Sequence, residues 1–240
     1  MKPLLIVDLG LISWVEAYAL QQRIVAARKA SEIDDVFLLC EHPHVITLGR
    51  SANRANLLAT EHVLRQKGVE LHATNRGGDI TYHGPGQIVG YPILNLNNIK
   101  RDVGWYVRTL EEVMIRASAD FSVSAFRVPG KTGIWVKAGD NEEKLAAIGV
   151  HISRWVTSHG FAFNGSTDLR YFDLIIPCGI ADRKATSLEK LLGRGVSLDE
   201  VKPHLIQHFA ELFSFSSRVI SRQELLARLA AFESSLPAQK

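Results

Sequence analysis

The chain has 240 residues, enough for one large or two small domains, and its 46% hydrophobic and 22% charged residues suit a folded globular enzyme. The formal net charge of +3 is spread along the chain without a block of like charges, which argues against a nucleic-acid-binding protein. No apolar run reaches the roughly 20 residues of a membrane-spanning helix. Two cysteines are too few for a disulfide framework, so we expect a cytoplasmic protein.

The first part of the chain predicts a strand, a helix and a second strand. Residues 4–8 form a short apolar run, typical of a strand and not of a signal peptide. Residues 13–16 read Ser-x-x-Glu, the pattern of a capping box, which indicates a helix that runs to about residue 30. Residues 36–40 are an unbroken apolar run, as in a buried strand, and we interpret Cys40 at its end as a small buried hydrophobic residue.

The rest of the chain contains a strand-rich middle and a last third that is expected to be helical. Strands and turns dominate residues 69–96. Because several strands follow one another directly in sequence, the pattern favours an α+β fold over a regularly alternating parallel sheet. The remaining predicted elements are helices over 61–67 and 102–119, strands over 133–137, 145–151 and 155–163, and two helices opened by capping-box patterns at Ser197 and Ser221.

The segment 76–96 is the most informative stretch of the chain. Five glycines fall within its first fifteen positions, which weakens a strand, so something other than sheet stability must favour them. Glycine lets a backbone approach a ligand closely, and we therefore predict that this segment is the wall of a binding pocket. Arg76 at its start could bind a carboxylate or phosphate, or could be a surface arginine beside a turn.

Motif spacing indicates neither a nucleotide loop nor a metal site. The glycine-rich segment lacks the Gly-Lys-Thr/Ser ending of a P-loop and the spacing of a dinucleotide-binding loop. The cysteines are too few and too separated for a zinc site, and the Glu-His-Pro-His run at 41–44 is more typical of a turn. We predict an activity that needs no metal and no cofactor.

Cys178 lies between a proline and a glycine, where regular structure stops. From the residues alone it is either an exposed nucleophile or a loop cysteine without a function. A nucleophilic cysteine needs a partner, because a free thiol with a pKa of about 8.5 is mostly protonated at neutral pH. The candidate partners are His83, His151, His159 and Lys144; the histidines could equally be hydrogen-bonded structural residues, and the lysine a solvated one.

Several long motifs follow one another in a fixed order, over residues 41–43, 47–50, 76–96, 144–149, 152–157, 159–164 and 177–180. These motifs give the chain a resemblance to the lipoyl(octanoyl) transferases. They cover most of residues 35–192 and include the Pro-Cys-Gly-Ile run around Cys178. The resemblance implies the α+β fold of biotin- and lipoate-protein ligases, a mixed β-sheet flanked by helices around a tunnel for the acyl chain. It also implies a single catalytic domain over 1–240 with a helical C-terminal segment of about 196–240.

The resemblance implies transfer of an octanoyl group from octanoyl-acyl carrier protein to a lysine of lipoyl domains. The acceptors would be the E2 subunits of 2-oxoacid dehydrogenases and the glycine-cleavage H protein. Cys178 would carry the acyl group as a thioester with Lys144 as its partner, and no ATP would be needed because thioester-to-amide transfer is downhill. The implied substrate-binding residues are Arg76, Gly77, Gly78, Asp79, Ile80, Thr81, Tyr82, His83, Ala147, Ile148, Gly149, Gly160, Phe161 and Ala162.

Two positions depart from the family pattern, and three other functions compete with the transferase. Asp79 stands where the family often has Gln, and His151 where it often has Arg. An ATP-dependent lipoate-protein ligase would share the fold but would need no nucleophilic cysteine. A cysteine hydrolase would release free octanoate, and a non-catalytic module would only bind lipoyl domains or the carrier protein.

Overall fold

The computed structural model describes residues 1–176 and 184–236, whose strands form two sheets. In chain order the strands are β1 (Lys2–Leu11), β2 (Asp35–Glu41), β3 (Val45–Leu48), β4 (Glu70–Ala73), β5 (Ile80–His83), β6 (Gln87–Ile93), β7 (Ala125–Val128), β8 (Lys131–Ala138), β9 (Asn141–Ser153), β10 (Val156–Asn164) and β11 (Phe215–Val219). The larger sheet has the order β11-β1-β2-β6-β10-β9-β8-β7, and the smaller one β4-β3-β5. In the larger sheet β1 is parallel to β2 and β11 and the other pairs are antiparallel, so this sheet is mixed.

Helices cover both faces of the larger sheet. The helices of the described residues are α1 (Trp14–Lys29), α2 (Glu61–Gln66), α3 (Val103–Asp120), α4 (Leu188–Leu192), α5 (Leu198–Leu212) and α6 (Arg222–Ser235), with 3₁₀ turns at Arg54–Asn56, Leu96–Asn98 and Leu169–Leu174. Helix α2 packs against the smaller sheet. Helices α3 and α5 pack on one face, and α1 and α6 on the other. In the described part of the chain, no helix combines the length and apolar character needed to cross a bilayer.

Strand β2 explains why an unbroken apolar run suits the centre of this sheet. Successive side chains of a strand point to opposite faces. Accordingly, Phe37 and Leu39 join the core under α3 and α5, while Leu38 and Cys40 join the core under α1 and α6. The predictions of a buried strand here and of a buried Cys40 are confirmed, since the Cys40 side chain has no exposed surface.

The predicted helix starts are confirmed at their caps. The Ser13 hydroxyl accepts the backbone N–H of Glu16 at 3.2 Å, and α1 begins at the next residue. Ser197 and Glu200 form a full capping box at the start of α5, and Ser221 caps α6. Each cap satisfies a backbone donor that the first helical turn leaves without a partner.

The predicted helical last third contains α4, α5 and α6, but it also contains one strand that was not predicted. Strand β11 lies between α5 and α6 and pairs in parallel with β1 at the edge of the larger sheet. Only Phe215 of this strand is buried, and its other residues are exposed. A short edge strand with one buried side chain carries too little hydrophobic alternation to be recognised in sequence. Strand β9 is also longer than the predicted 145–151.

Candidate active site

A pocket lies where the middle of the larger sheet meets the glycine-rich segment and the smaller sheet. Its walls come from β6, β9, β10, β5 and the segment that leads into β5. The structure therefore places the glycine-rich segment in a pocket wall. Twelve of the fourteen implied substrate-binding residues line this pocket: Arg76, Gly78, Asp79, Ile80, Thr81, His83, Ala147, Ile148, Gly149, Gly160, Phe161 and Ala162.

The other two residues of that set, Gly77 and Tyr82, contact the protein scaffold. Gly77 donates its backbone N–H to the carbonyl of Val150 at 2.9 Å, which ties the glycine-rich segment to β9. Tyr82 is fully buried, and its hydroxyl lies 2.7 Å from Nδ1 of His44. Both residues hold the wall in place, and contact of either with substrate stays a prediction.

Two glycines allow the wall to pack tightly against the loop after β3. A Cβ on Gly49 would overlap the carbonyl oxygen of Gly78. Gly78 itself has a φ of +87°, a conformation that residues with side chains rarely adopt. At these positions two backbone segments of the protein, at Gly49 and Gly78, approach each other closely. The sequence analysis predicted instead that the glycines allow the backbone to approach a ligand.

Arg76 is buried, and its guanidinium joins the wall to β3. It donates to the Thr47 carbonyl at 2.7 Å, to the Thr47 hydroxyl at 3.0 Å and to the Gly77 carbonyl at 3.1 Å. A buried charge that donates to several carbonyl and hydroxyl oxygens stabilises the surrounding backbone. The structural role of Arg76 is therefore visible in its contacts, and anion binding by this residue stays a prediction.

Three buried histidines lie in or beside the pocket. Burial lowers the pKa of His42 to about 4 and the pKa values of His83 and His159 to about 3. A neutral His42 donates from Nδ1 to the Ile12 carbonyl at 2.7 Å and accepts the Tyr91 hydroxyl at Nε2 at 2.8 Å. Neutral imidazoles give a thiolate no charge stabilisation, so His83 and His159 are weaker partners for a cysteine than a lysine is.

Lys144 lies within β9 and is half-buried. Its Nζ is 4.7 Å from the centre of the Trp135 ring. Its backbone N–H donates to the Lys184 carbonyl and its carbonyl accepts the Thr186 N–H, both at 2.9 Å, so residues 184–186 run beside it. Cys178 lies outside the described residues, and its pairing with Lys144 stays a prediction.

This arrangement agrees with the comparisons to known proteins. The family model of the lipoyl protein ligase A/B catalytic domain matches residues 14–210. An octanoyltransferase of Solibacter usitatus (strain Ellin6076) is 52% identical over 208 residues, which cover 87% of this chain and 92% of that protein. The chain belongs to the octanoyltransferase family. An octanoyltransferase of Koribacter versatilis (strain Ellin345) is 48% identical over 87% of this chain and 83% of that protein.

The fold of this octanoyltransferase family member is also that of lipoate-protein ligases. The bipartite lipoate-protein ligase of Thermoplasma acidophilum superposes with a TM-score of 0.72 at 16% identity, over 98% of this chain and 92% of that one. At that identity the likeness concerns the fold alone. The predicted resemblance and the α+β ligase-like fold with a mixed sheet are confirmed.

Asp79, the first departure from the family pattern, accepts hydrogen bonds from both ends of the segment that contains the 3₁₀ turn Arg54–Asn56. One carboxylate oxygen accepts the backbone N–H of Asn53 at 2.9 Å, and the other accepts the side-chain amide of Asn56. The Asn56 carbonyl in turn accepts the N–H of Ile176 at 2.7 Å. The carboxylate thus links the pocket wall to the last residue described before the segment 177–183.

His151, the second departure, lies near the end of β9 and is half-buried. Burial lowers its pKa, and the positive charges of Arg50 and Lys29 lower it further. His151 does not line the pocket. It therefore lies outside the group of predicted residues that the pocket brings together.

Five further residues line the pocket without having been predicted to bind substrate: Trp14, Thr47, Val89, Tyr91 and His159. Trp14 begins α1 and stacks on Tyr18 at 4.9 Å between ring centres, and Tyr18 stacks on His159 at 5.5 Å. Trp14 is far from the family motifs in sequence, so neither spacing nor resemblance could place it at the pocket.

Proposed function

We propose that the chain transfers an octanoyl group from octanoyl-acyl carrier protein to a lysine of lipoyl domains. The acceptors would be lipoyl domains of 2-oxoacid dehydrogenase E2 subunits and the glycine-cleavage H protein. The observation that carries the proposal is that twelve residues implied for substrate binding line one pocket, in a chain about half identical to octanoyltransferases.

In the first half-reaction the Cys178 thiolate attacks the carbonyl carbon of the octanoyl thioester. The bond to the phosphopantetheine sulfur breaks, and that sulfur leaves as a thiolate that takes up a proton. The products are an octanoyl-enzyme thioester and the free carrier thiol. The ammonium of Lys144 would favour the ionised form of Cys178 by its charge.

In the second half-reaction the lysine amine of the lipoyl domain attacks the enzyme thioester. An amide bond forms, Cys178 leaves as a thiolate, and the proton of the amine passes to a neighbouring base or to solvent. Because an amide is more stable than a thioester, the sequence of steps requires no nucleotide. The absence of ATP use is what separates this reaction from that of a lipoate-protein ligase.

We also propose that the whole chain acts as one catalytic unit. Helix α5, from the predicted C-terminal helical segment, contributes Phe209 to the core beneath the central strands. Its ring stacks on that of Phe37 in β2 at 4.3 Å between centres. The C-terminal segment would therefore support the sheet whose strands line the pocket.

The pocket would serve as the acyl tunnel, which leads to a prediction about chain length. Ala147 lines the pocket, and the substitution Ala147→Leu would fill part of it. If two methylenes of the octanoyl chain lose their burial, the loss is about 1.6 kcal/mol, or roughly tenfold in kcat/KM. We expect octanoyl transfer to fall by about that factor while hexanoyl transfer changes little, measured with both acyl-carrier donors.

The matched control is Ala138→Leu, at the end of β8, outside the pocket lining. This variant should leave the preference between octanoyl and hexanoyl donors unchanged. An Ala147→Leu enzyme that keeps the wild-type preference would show that the acyl chain does not occupy this pocket.

The proposed function is tested by an assay without nucleotide. Octanoyl-carrier protein and an apo lipoyl domain are incubated with the enzyme, and the mass of the lipoyl domain is measured. We expect an octanoylated domain, unchanged in amount when ATP is added. Product only with ATP and free octanoate would indicate a ligase, release of free octanoate without an acceptor would indicate a hydrolase, and binding without any product would indicate a non-catalytic module.

A further inference from the structure

The side chain of Lys144 rests on a buried tryptophan of the neighbouring strand. Trp135 of β8 is 1% exposed, and its ring centre lies 4.7 Å from the Lys144 amine. A cation within about 6 Å of an aromatic face is attracted by the ring quadrupole. The indole N–H donates to the Lys131 carbonyl at 3.4 Å, which fixes the plane of the ring.

An irregularity in strand pairing sets these two residues opposite each other. Ile134 pairs with Ala146, but Trp135 pairs with Lys144, so Leu145 is an extra residue on β9. Such a β-bulge changes the direction in which neighbouring side chains point, and bulges occur often beside active sites. Leu145 and Ala146 are both fully buried, which a strictly alternating strand with one exposed face would not allow.

The opposite strand is shaped to accept this bulge. Gly133 has a φ of +111°, and a Cβ there would overlap the carbonyl oxygen of Ala146. Its backbone N–H donates to the buried carboxylate of Glu111 at 3.0 Å. Glycine and the buried acceptor therefore hold β8 in the shape that brings the indole ring under the amine of Lys144.

We propose that Trp135 is a positioning residue, which holds the ammonium of Lys144 on the face of its indole ring and thereby supports the ionised form of Cys178. This inference rests on the proposed function, since it concerns the lysine that would support the nucleophile. The ring attracts the charged amine and not the neutral one. Trp135 therefore keeps Lys144 in the form that favours the thiolate.

The test follows alkylation of Cys178 by iodoacetamide as a function of pH. The rate is read by mass spectrometry of the peptide that contains Cys178. Alkylation requires the thiolate, so the midpoint of the pH profile reports its formation. Four variants are compared with the wild type: Lys144→Met, Trp135→Leu, Trp135→Phe and the control Trp105→Leu.

We expect Lys144→Met to move the midpoint to higher pH. Trp135→Leu should move it in the same direction by roughly half a unit to one unit, which slows alkylation near pH 7 by about three- to tenfold. Trp135→Phe keeps an aromatic face and should fall between Trp135→Leu and the wild type. Trp105 of α3 makes the same kind of contact with a different lysine, since the Lys100 amine lies 5.6 Å from its ring centre. Trp105→Leu is therefore the control and should not move the midpoint.

The double variant Lys144→Met/Trp135→Leu separates positioning from general damage to the fold. If Trp135 acts through Lys144, the double variant has the midpoint of Lys144→Met alone. A further shift in the double variant, or an unchanged midpoint in folded Trp135→Leu and Trp135→Phe, overturns the inference. An unchanged midpoint in Lys144→Met would instead contradict the Cys178–Lys144 pair of the proposed function. Thermal unfolding confirms that each variant is folded. If Trp135→Leu does not fold, the midpoint of Trp135→Phe is used instead.

Discussion

Replacement of Cys178 by alanine is expected to abolish octanoyl transfer, with a loss of at least about 10³-fold in kcat. Without the thiolate there is no group to accept the octanoyl chain, and direct attack of the lipoyl lysine on the carrier thioester is not assisted. Transfer is measured by the mass of the lipoyl domain. The acyl-enzyme is measured as an octanoyl adduct on the intact protein after incubation with octanoyl-carrier protein alone.

Cys40 provides the matched control, because it is the other cysteine of the chain. Its side chain is fully buried in the core under α1 and α6. Burial raises the pKa of the Cys40 thiol, and the negative charges of Asp8 and Glu41 raise it further, so a thiolate does not form there at neutral pH. Cys40→Ala should keep both transfer and the adduct. An adduct that maps to Cys40 would show that the nucleophile is assigned to the wrong cysteine.

Local signals in the sequence were sufficient for the elements that carry strong periodicity or a cap. The apolar run of β2 predicted a buried strand, and the capping box at Ser197 predicted α5. Strand β11 was missed because its position depends on pairing with β1, which lies about 200 residues away in the chain and leaves no local pattern. A pairing between strands so far apart in the chain cannot be recognised from a short stretch of sequence.

The candidate site was predictable as a set of segments but not as a geometry. The resemblance grouped Arg76, Ala147 and Gly160, and the structure brings all three to one pocket. It could not indicate that Trp135 lies under Lys144, because a bulge of one residue decides which side chains face each other across β8 and β9. No pattern in the sequence indicated that Arg76 donates hydrogen bonds to Thr47 and to the Gly77 carbonyl.

Acidification from pH 7 to pH 5 is expected to lower the free energy of unfolding by about 6 kcal/mol. Burial lowers the pKa of His42 to about 4 and those of His83 and His159 to about 3, from an ordinary value of 6.5. Between these values the unfolded chain binds more protons than the folded one, so stability falls as the pH falls. Each histidine contributes about 2 kcal/mol over this interval.

The interval is chosen above the ordinary pKa values of carboxyl groups, so that histidines dominate the change. Urea unfolding at several pH values gives the free energy of unfolding, and its slope against pH gives the difference in bound protons. A folded protein has only about 5–15 kcal/mol to lose, so a loss of this size brings the chain close to its unfolding threshold. A free energy of unfolding that stays constant from pH 7 to pH 5 would contradict the burial of these three imidazoles as neutral groups.

A single substitution then assigns the effect to a residue. His83 lies with Nδ1 2.7 Å from the Gln87 side-chain oxygen, and His83→Gln keeps a donor for that oxygen while removing the titrating group. The slope near pH 5 should fall by the equivalent of about one proton, because His83 no longer takes up a proton on unfolding. His62→Gln, at an exposed position of α2, is the control substitution. Because the slope counts protons, it is insensitive to the stability that His83→Gln itself removes, and an unaltered slope in this variant would place the acid sensitivity elsewhere in the protein.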